Sequence, residues 1–169
     1  FRYFSAVCIG AVALSACARA TFAPAPYASD HALANLQGVI APQKKLGIIA
    51  SVEALPPENR KTLAPGFAPG IYLTAALETE LQAAQVATNT SNAQKTGMYV
   101  GTQLHFFSPR KIVFDTGVYA EHGKLLFEKR AYCAIHQSNR SFASILQQAL
   151  QQIIADPKFA QALRDGARP

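Results

Sequence analysis

Tryptophan is missing from this chain, methionine occurs once, and charged residues make up only 15%. So low a charge content argues against a disordered or coiled-coil chain. Glycine and proline number ten each and are scattered, which excludes collagen-like and low-complexity readings. Long apolar runs are absent except at the extreme N-terminus, so the pattern is not that of a polytopic membrane protein. Cysteine occurs three times, at Cys8, Cys17 and Cys133, too few for a disulfide scaffold. What is present is 169 residues, half of them hydrophobic. That suits one globular domain with a single core.

The apolar run is Ala6 to Leu14. It has signal-peptide length and is shorter than the ~20 residues of a spanning helix. The chain opens on Phe1, and the expectation is that part of a basic leader precedes it, with Arg2 as its remnant. The run ends in Leu14-Ser15-Ala16-Cys17, which resembles the lipobox of bacterial lipoproteins. The resemblance implies cleavage before Cys17, a diacylglyceryl group on its sulfur and an acyl chain on its nitrogen. At ~0.8 kcal/mol per buried CH₂, several such chains anchor permanently. An ordinary secretory signal ending near Ala16 is the alternative. Ala18 rather than Asp after the cysteine implies, by the enterobacterial sorting rule, the outer membrane on its periplasmic side. Cys8 leaves with the signal and Cys17 carries lipid, so Cys133 has no disulfide partner in the mature chain.

The expected organisation is therefore a signal peptide over 1–16, a lipidated Pro/Ala tether over 17–43 and one α/β domain over 44–169. Leu46 to Val52 is rich in β-branched residues and reads as a buried strand. Four prolines between Ala54 and Gly70 predict a long irregular loop. Leu73, Leu77, Leu81 and Ala84 recur at helical spacing and predict a helix over Ile71 to Ala87, with Glu78, Glu80 and Gln82 outside. Three strands follow. Met98, Val100, Leu104 and Phe106 share a face of the first; Ile112, Phe114, Val118 and Ala120 of the second; Leu125, Phe127, Ala131, Cys133 and Ile135 of the third.

A two-residue turn at His122-Gly123 sets Val118 opposite Phe127, Phe114 opposite Ala131, Ile112 opposite Cys133 and Asp115 opposite Arg130. A slip of one residue would bury charges. Phe142 to Ala155 predicts the second main helix, and Asp156-Pro157 the cap and first turn of a short last one. The expected fold is a two-layer α/β (α+β) sandwich in the order β-α-β-β-β-α. One mostly antiparallel sheet of about four strands packs against two main helices, and its other face is more open.

Chemistry is sparse in this pattern. No two of His31, His105, His122 and His136 stand at metal-ligand spacing, and Cys133 has no partner cysteine. There is no nucleophile elbow, carboxylate dyad or glycine-rich phosphate loop. The expectation is no catalytic residue, no metal and no cofactor. The formal charge is +6 and basic residues come in pairs. Nucleic acid is excluded for an exported lipoprotein, which leaves headgroups, peptidoglycan carboxylates and acidic proteins as anionic partners. Arg110, Lys111, Lys129 and Arg130 are the candidate basic patch.

Gly123-Lys124-Leu125-Leu126-Phe127-Glu128-Lys129-Arg130 leads, after a polar gap, into the Leu/Ile helix Phe142 to Leu163 with its Asp156-Pro157 break. This arrangement is similar to small periplasmic lipoproteins of the YajG type and to auxiliary lipoproteins of ABC-type envelope transport systems. The resemblance implies a non-enzymatic accessory or adaptor subunit of an envelope complex, with self-association open, and carries over no site residues. The alternative is a periplasmic carrier of lipid or another hydrophobic ligand. A carrier requires an apolar cavity of roughly 300 Å³ or more.

Overall fold

A computed structural model describes residues 30–61, 68–108, 110–134 and 142–167. In chain order they form α1 (Asp30–Leu36), β1 (Leu46–Glu53), α2 (Pro57–Lys61), α3 (Pro69–Ala83), β2 (Thr88–Asn89), β3 (Tyr99–Ser108), β4 (Lys111–Tyr119), β5 (Leu125–Ala134), α4 (Phe142–Ile154) and α5 (Pro157–Ala167). The strands make one sheet in the order β2-β1-β3-β4-β5. β1 runs parallel to β2 and β3, and β3, β4 and β5 form an antiparallel meander. α3, α4 and α5 pack on the sheet. The two-layer α/β class is as expected, with five strands instead of about four. A two-residue strand such as β2 is too short to show periodicity. Parallel pairing of β1 with β3 requires a crossover, and α3 lies in it.

The register of β4 against β5 follows the expected pairs: Val118–Phe127, Phe114–Ala131, Ile112–Cys133 and Asp115–Arg130. The turn itself differs. Tyr119 pairs with Leu125, and Glu121–Gly123 form a three-residue turn. His122 and Gly123 take positive φ of 61° and 78°, and the register slips by one residue after Val118. That irregularity lets a longer turn coexist with the favoured register.

A second irregularity sits in β3. Leu104 pairs with Phe114 but Phe106 with Val113, so His105 is the extra residue. The bulge reverses the alternation beyond it. Phe107, not Phe106, joins Met98, Val100 and Leu104 in the core.

Four further expectations are corrected. Residues 30–43, expected in the tether, belong to the described fold, which includes α1 from Asp30. Leu36, Val39 and Ile40 are buried, and α1 packs against α3, α4 and α5. Arg164 donates to the Asn35 carbonyl at 3.5 Å. Seven helical residues are too few to announce themselves by period. The stretch 54–70 is not wholly irregular, because Pro57 opens α2 and Pro69 opens α3. A first-turn proline loses no intrahelical bond, since its missing N–H would have been unpaired there.

α3 stops at Ala83 rather than Ala87. Gln85 adopts φ 62°, Gln85 N–H donates to Gln82 and Val86 N–H to Leu81. This is a Schellman ending built without glycine. Glu80, expected outside, is buried, because it stands seven residues after Leu73 in the same helical stripe.

Between the layers, Phe114, Phe159, Leu73, Leu77, Leu81, Ile145 and Leu146 are fully buried. Burial of each such side chain contributes ~1.5–3 kcal/mol. Phe127 and Phe159 meet edge to face at 5.5 Å. Asp156 accepts from Lys158 N–H at 2.9 Å and caps α5 as expected. Cys133 is buried, as its alternation into the core suggested.

Candidate functional site: the open face of the sheet

Among the described residues, the main helices α3, α4 and α5 pack on one side of the sheet and leave the other open. Alternation along β3, β4 and β5 sends Tyr99, Gly101, Gln103, Val113, Asp115, Gly117, Tyr119, Glu128, Arg130 and Tyr132 to that side. At its centre Asp115 is held from two directions. Arg130 on β5 donates from Nε to Oδ1 at 2.7 Å and from Nη2 to Oδ2 at 2.8 Å. His105, re-aimed by the bulge, places Nε2 2.7 Å from Oδ2. The Arg130 hydrogen bond, joined by His105 and opposed by partial burial, holds the Asp115 carboxyl below the ordinary carboxylate range. A forked guanidinium–carboxylate pair has fixed geometry as well as charge. Asp115 is thereby engaged as an ion-pair partner, not poised as a proton donor.

Beside this cluster lies an aromatic platform. Tyr99 and Tyr119 pair across β3 and β4 and stack at 4.9 Å with planes 16° apart. Gly101 and Gly117 also pair directly. A Cβ on Gly117 would lie 2.7 Å from the Tyr119 ring, and one on Gly101 3.6 Å away. The glycines therefore let the Tyr119 ring lie down on the strands. Burial, then the charge of Glu128 and the neighbouring Tyr99, push the Tyr119 hydroxyl's pKa up. Together with Ile49, Val52, Gln103, Asp115 and Glu128 these residues line a trough of about 380 Å³. Further along, Lys111 Nζ sits 4.8 Å from the Phe106 ring centre and 5.3 Å from that of Tyr132, a cation–π arrangement.

The four residues of the expected basic patch do not converge. Lys129 and Arg130 are neighbours in a strand and so point to opposite faces. Lys129 lies on the helix side, bonded to Asp156 and to the Gln152 carbonyl. Arg130 is neutralised by Asp115. Arg110 and Lys111 stand at the β3–β4 turn, where Lys111 covers aromatic rings. Only Lys111 and Arg130 share the open face. Leu14, Ser15, Ala16 and Cys17 lie outside the described residues, as does His136. His122 is in an exposed turn.

Among the described residues no group of three or more His, Cys, Asp or Glu gathers as for a metal. No described helix is long and apolar enough to cross a membrane. The tyrosine pair and the His105–Asp115 contact are features that sequence reasoning missed. Two glycines inside otherwise regular strand patterns were the available signal.

No family model and no curated protein matches this chain. Solved structures do. A PelC variant dodecamer from Paraburkholderia phytofirmans superposes with a TM-score of 0.56 at 8% identity, covering 70% of this chain and 90% of that one. The fold is shared. A second PelC dodecamer from the same organism gives 0.51 at 11% identity, over 79% and 94% of the two chains. A Xanthomonas campestris protein of the DUF330 family gives 0.51 at 9%, over 86% and 93%. At such identities the likeness establishes architecture alone.

Proposed function

We propose that this protein is a non-enzymatic accessory or adaptor subunit of a bacterial envelope complex. It is held to the periplasmic face of the outer membrane by lipid on Cys17 and docks partners through the open sheet face. The observation that carries this reading is the contrast between the layers. The space between sheet and helices is filled by fully buried side chains, whereas the opposite face presents tyrosine rings, a pinned carboxylate and a cation over aromatics. Rings with polar edges beside forked ion pairs are what protein interfaces favour. A filled sandwich layer is the opposite of what a hydrophobic-ligand carrier requires. The lipobox resemblance supports the anchor, and the dodecameric state of the PelC structures supports self-association within such a complex.

The test is crosslinking in intact envelopes, followed by pull-down and mass spectrometry of proteins and co-purifying lipids. A stoichiometric protein partner, with or without further copies of this chain, is the expected result. Enriched lipid without a protein partner overturns the adaptor reading. Cys17→Ala is expected to leave the precursor unprocessed or to release the protein from the membrane fraction. A processed Cys17→Ala protein that stays in that fraction refutes the lipid anchor.

A further inference from the structure

β5 ends the sheet on one side, and among the described residues no strand lies beyond it. In an antiparallel ladder, successive residues turn both backbone groups alternately to one neighbour and to the other. The Gln152 side chain shows how β5 is set. Its Nε2 donates to the Tyr132 carbonyl at 2.8 Å, and its Oε1 accepts from Tyr132 N–H at 3.4 Å. Tyr132 therefore turns its backbone groups outward. The register with β4 is unbroken from Ala134 to Phe127, so Arg130 and Glu128 turn theirs outward as well. Among the described residues nothing pairs with those groups of Glu128 or Arg130. An unpaired edge is a template for a further strand.

This window is short and closed at both ends. Gln152 occupies Tyr132 at one end. At the other, Leu126 is the extra residue between the Val118–Phe127 and Tyr119–Leu125 pairs, a bulge that interrupts regular pairing. Lys129, between the two free positions, is held on the helix side by Asp156 and the Gln152 carbonyl.

The two flanks of the window differ in chemistry. On the helix side a groove of about 540 Å³ runs between β5 and α5, with Leu126, Phe127 and Ala162 as its apolar lining. On the open side the Glu128 carboxylate is exposed. Among the described residues it has no ion-pair partner, because the neighbouring Arg130 is engaged by Asp115. Glu128 also borders the trough of Tyr99 and Tyr119. A cation placed there meets a carboxylate and lies beside aromatic rings. The chain is +6 overall, but exposed charges farther off than about 8–10 Å are screened by salt, so the local carboxylate decides.

We infer that the β5 edge takes a short antiparallel strand from a partner protein, with a Lys or Arg of that strand opposite Glu128. The next residue of the partner strand is apolar, stands opposite Phe127 and turns into the groove beside α5. Such strand addition draws affinity from main-chain hydrogen bonds and specificity from alternate side chains. In antiparallel pairing, the partner residues opposite Glu128 and Arg130 each exchange both bonds. The β5 strand of a second copy is a poorer occupant. Centred on the same window it sets Lys129 opposite Lys129, and like charges directly opposite destabilise a pair. This inference rests on the adaptor reading above and names the edge and the kind of segment that docks there.

The experiment uses the full chain in mild detergent with a fluorescein-labelled hexapeptide, Thr-Val-Thr-Lys-Leu-Thr. Anisotropy reads binding, and hydrogen–deuterium exchange resolved to single amides reads its place. Binding is expected, with new protection at the Glu128 and Arg130 amides. A peptide with Glu in place of Lys, and separately the Glu128→Lys protein, are each expected to bind roughly tenfold more weakly. Combining the two changes is expected to restore binding. N-methylation of the peptide's Lys amide removes a donor to β5 and is expected to abolish binding. N-methylation of its Leu amide, which points away from β5, is expected to leave binding in place. Circular dichroism confirms that Glu128→Lys is folded, and the methylated peptides test the wild type without it. Failure to bind, protection away from β5, or equal loss from both methylated peptides overturns the inference. So does protection of Glu128 and Arg130 in the free protein that fades on dilution, which would assign the edge to a second copy. If envelope crosslinking yields no protein partner, the adaptor reading falls and this inference with it. A partner captured there beside any of the other failures overturns this inference alone.

Discussion

Strand β4 shows two different chemistries one residue apart. Ile112, Phe114, Thr116 and Val118 turn toward the helices and are fully buried. Val113, Asp115 and Tyr119 turn to the open side and are only half-buried, with Gly117 under the Tyr119 ring. On the first face many interchangeable apolar contacts act together, and removing one leaves a void among the others. On the second, a few directional contacts set the shape of a surface. The covered face therefore governs whether the chain folds, and the open face governs what a folded chain can meet.

The sharpest way to break this comparison is Phe114→Ala. Truncating a fully buried phenylalanine is expected to cost ~3–5 kcal/mol, read as a shift in the denaturant midpoint. A loss under ~1 kcal/mol, below any such truncation, would mean that the covered face is not the folding core. A smaller and opposite change is expected from Thr116→Val. The Thr116 hydroxyl is buried without a hydrogen-bond partner, and its desolvation costs ~1–3 kcal/mol. The near-isosteric valine should raise stability by up to that amount in the same melts. A destabilised variant would show that this side of β4 tolerates polarity.

The smallest effect belongs to the ion pairs. Asp115, facing Arg130 and His105, and Asp156, facing Lys129 and Lys158, both have lowered pKa values. A depressed carboxylate contributes its stability above the unfolded pKa of ~3.9 and loses it as pH falls through the folded value. Stability should therefore decline below about pH 4, the unfolded carboxylate pKa. Asp115→Asn should flatten that decline slightly, because solvent screens so exposed a pair. Acid titrations of wild type and variant with identical slopes would remove the pair from the account of stability.

Much of the covered face was legible in advance. The stripes of α4 and α5, the Asp156-Pro157 start of α5 and the β4–β5 pairing all follow from period and from the cost of burying charge. The open face was legible in only one contact, Asp115 with Arg130. His105 reached Asp115 through a bulge that no local pattern marks. Tyr99 and Tyr119 met because β3 and β4 pair in one register. The basic patch dissolved for the reason that made the register predictable, since Lys129 and Arg130 alternate across the sheet.

Local chemistry thus determined the inward faces of β4 and β5, where the last helix begins and that Cys133 would be inward. It did so because burial and capping depend on nearest neighbours in the chain. Tertiary structure alone decided that β1 lies parallel beside β3 and that α1 belongs to the domain. It also decided that His105 reaches Asp115 and that Tyr99 stacks on Tyr119. Those outcomes depend on contacts between residues far apart in sequence, whose free energy exists only once the chain has closed on itself.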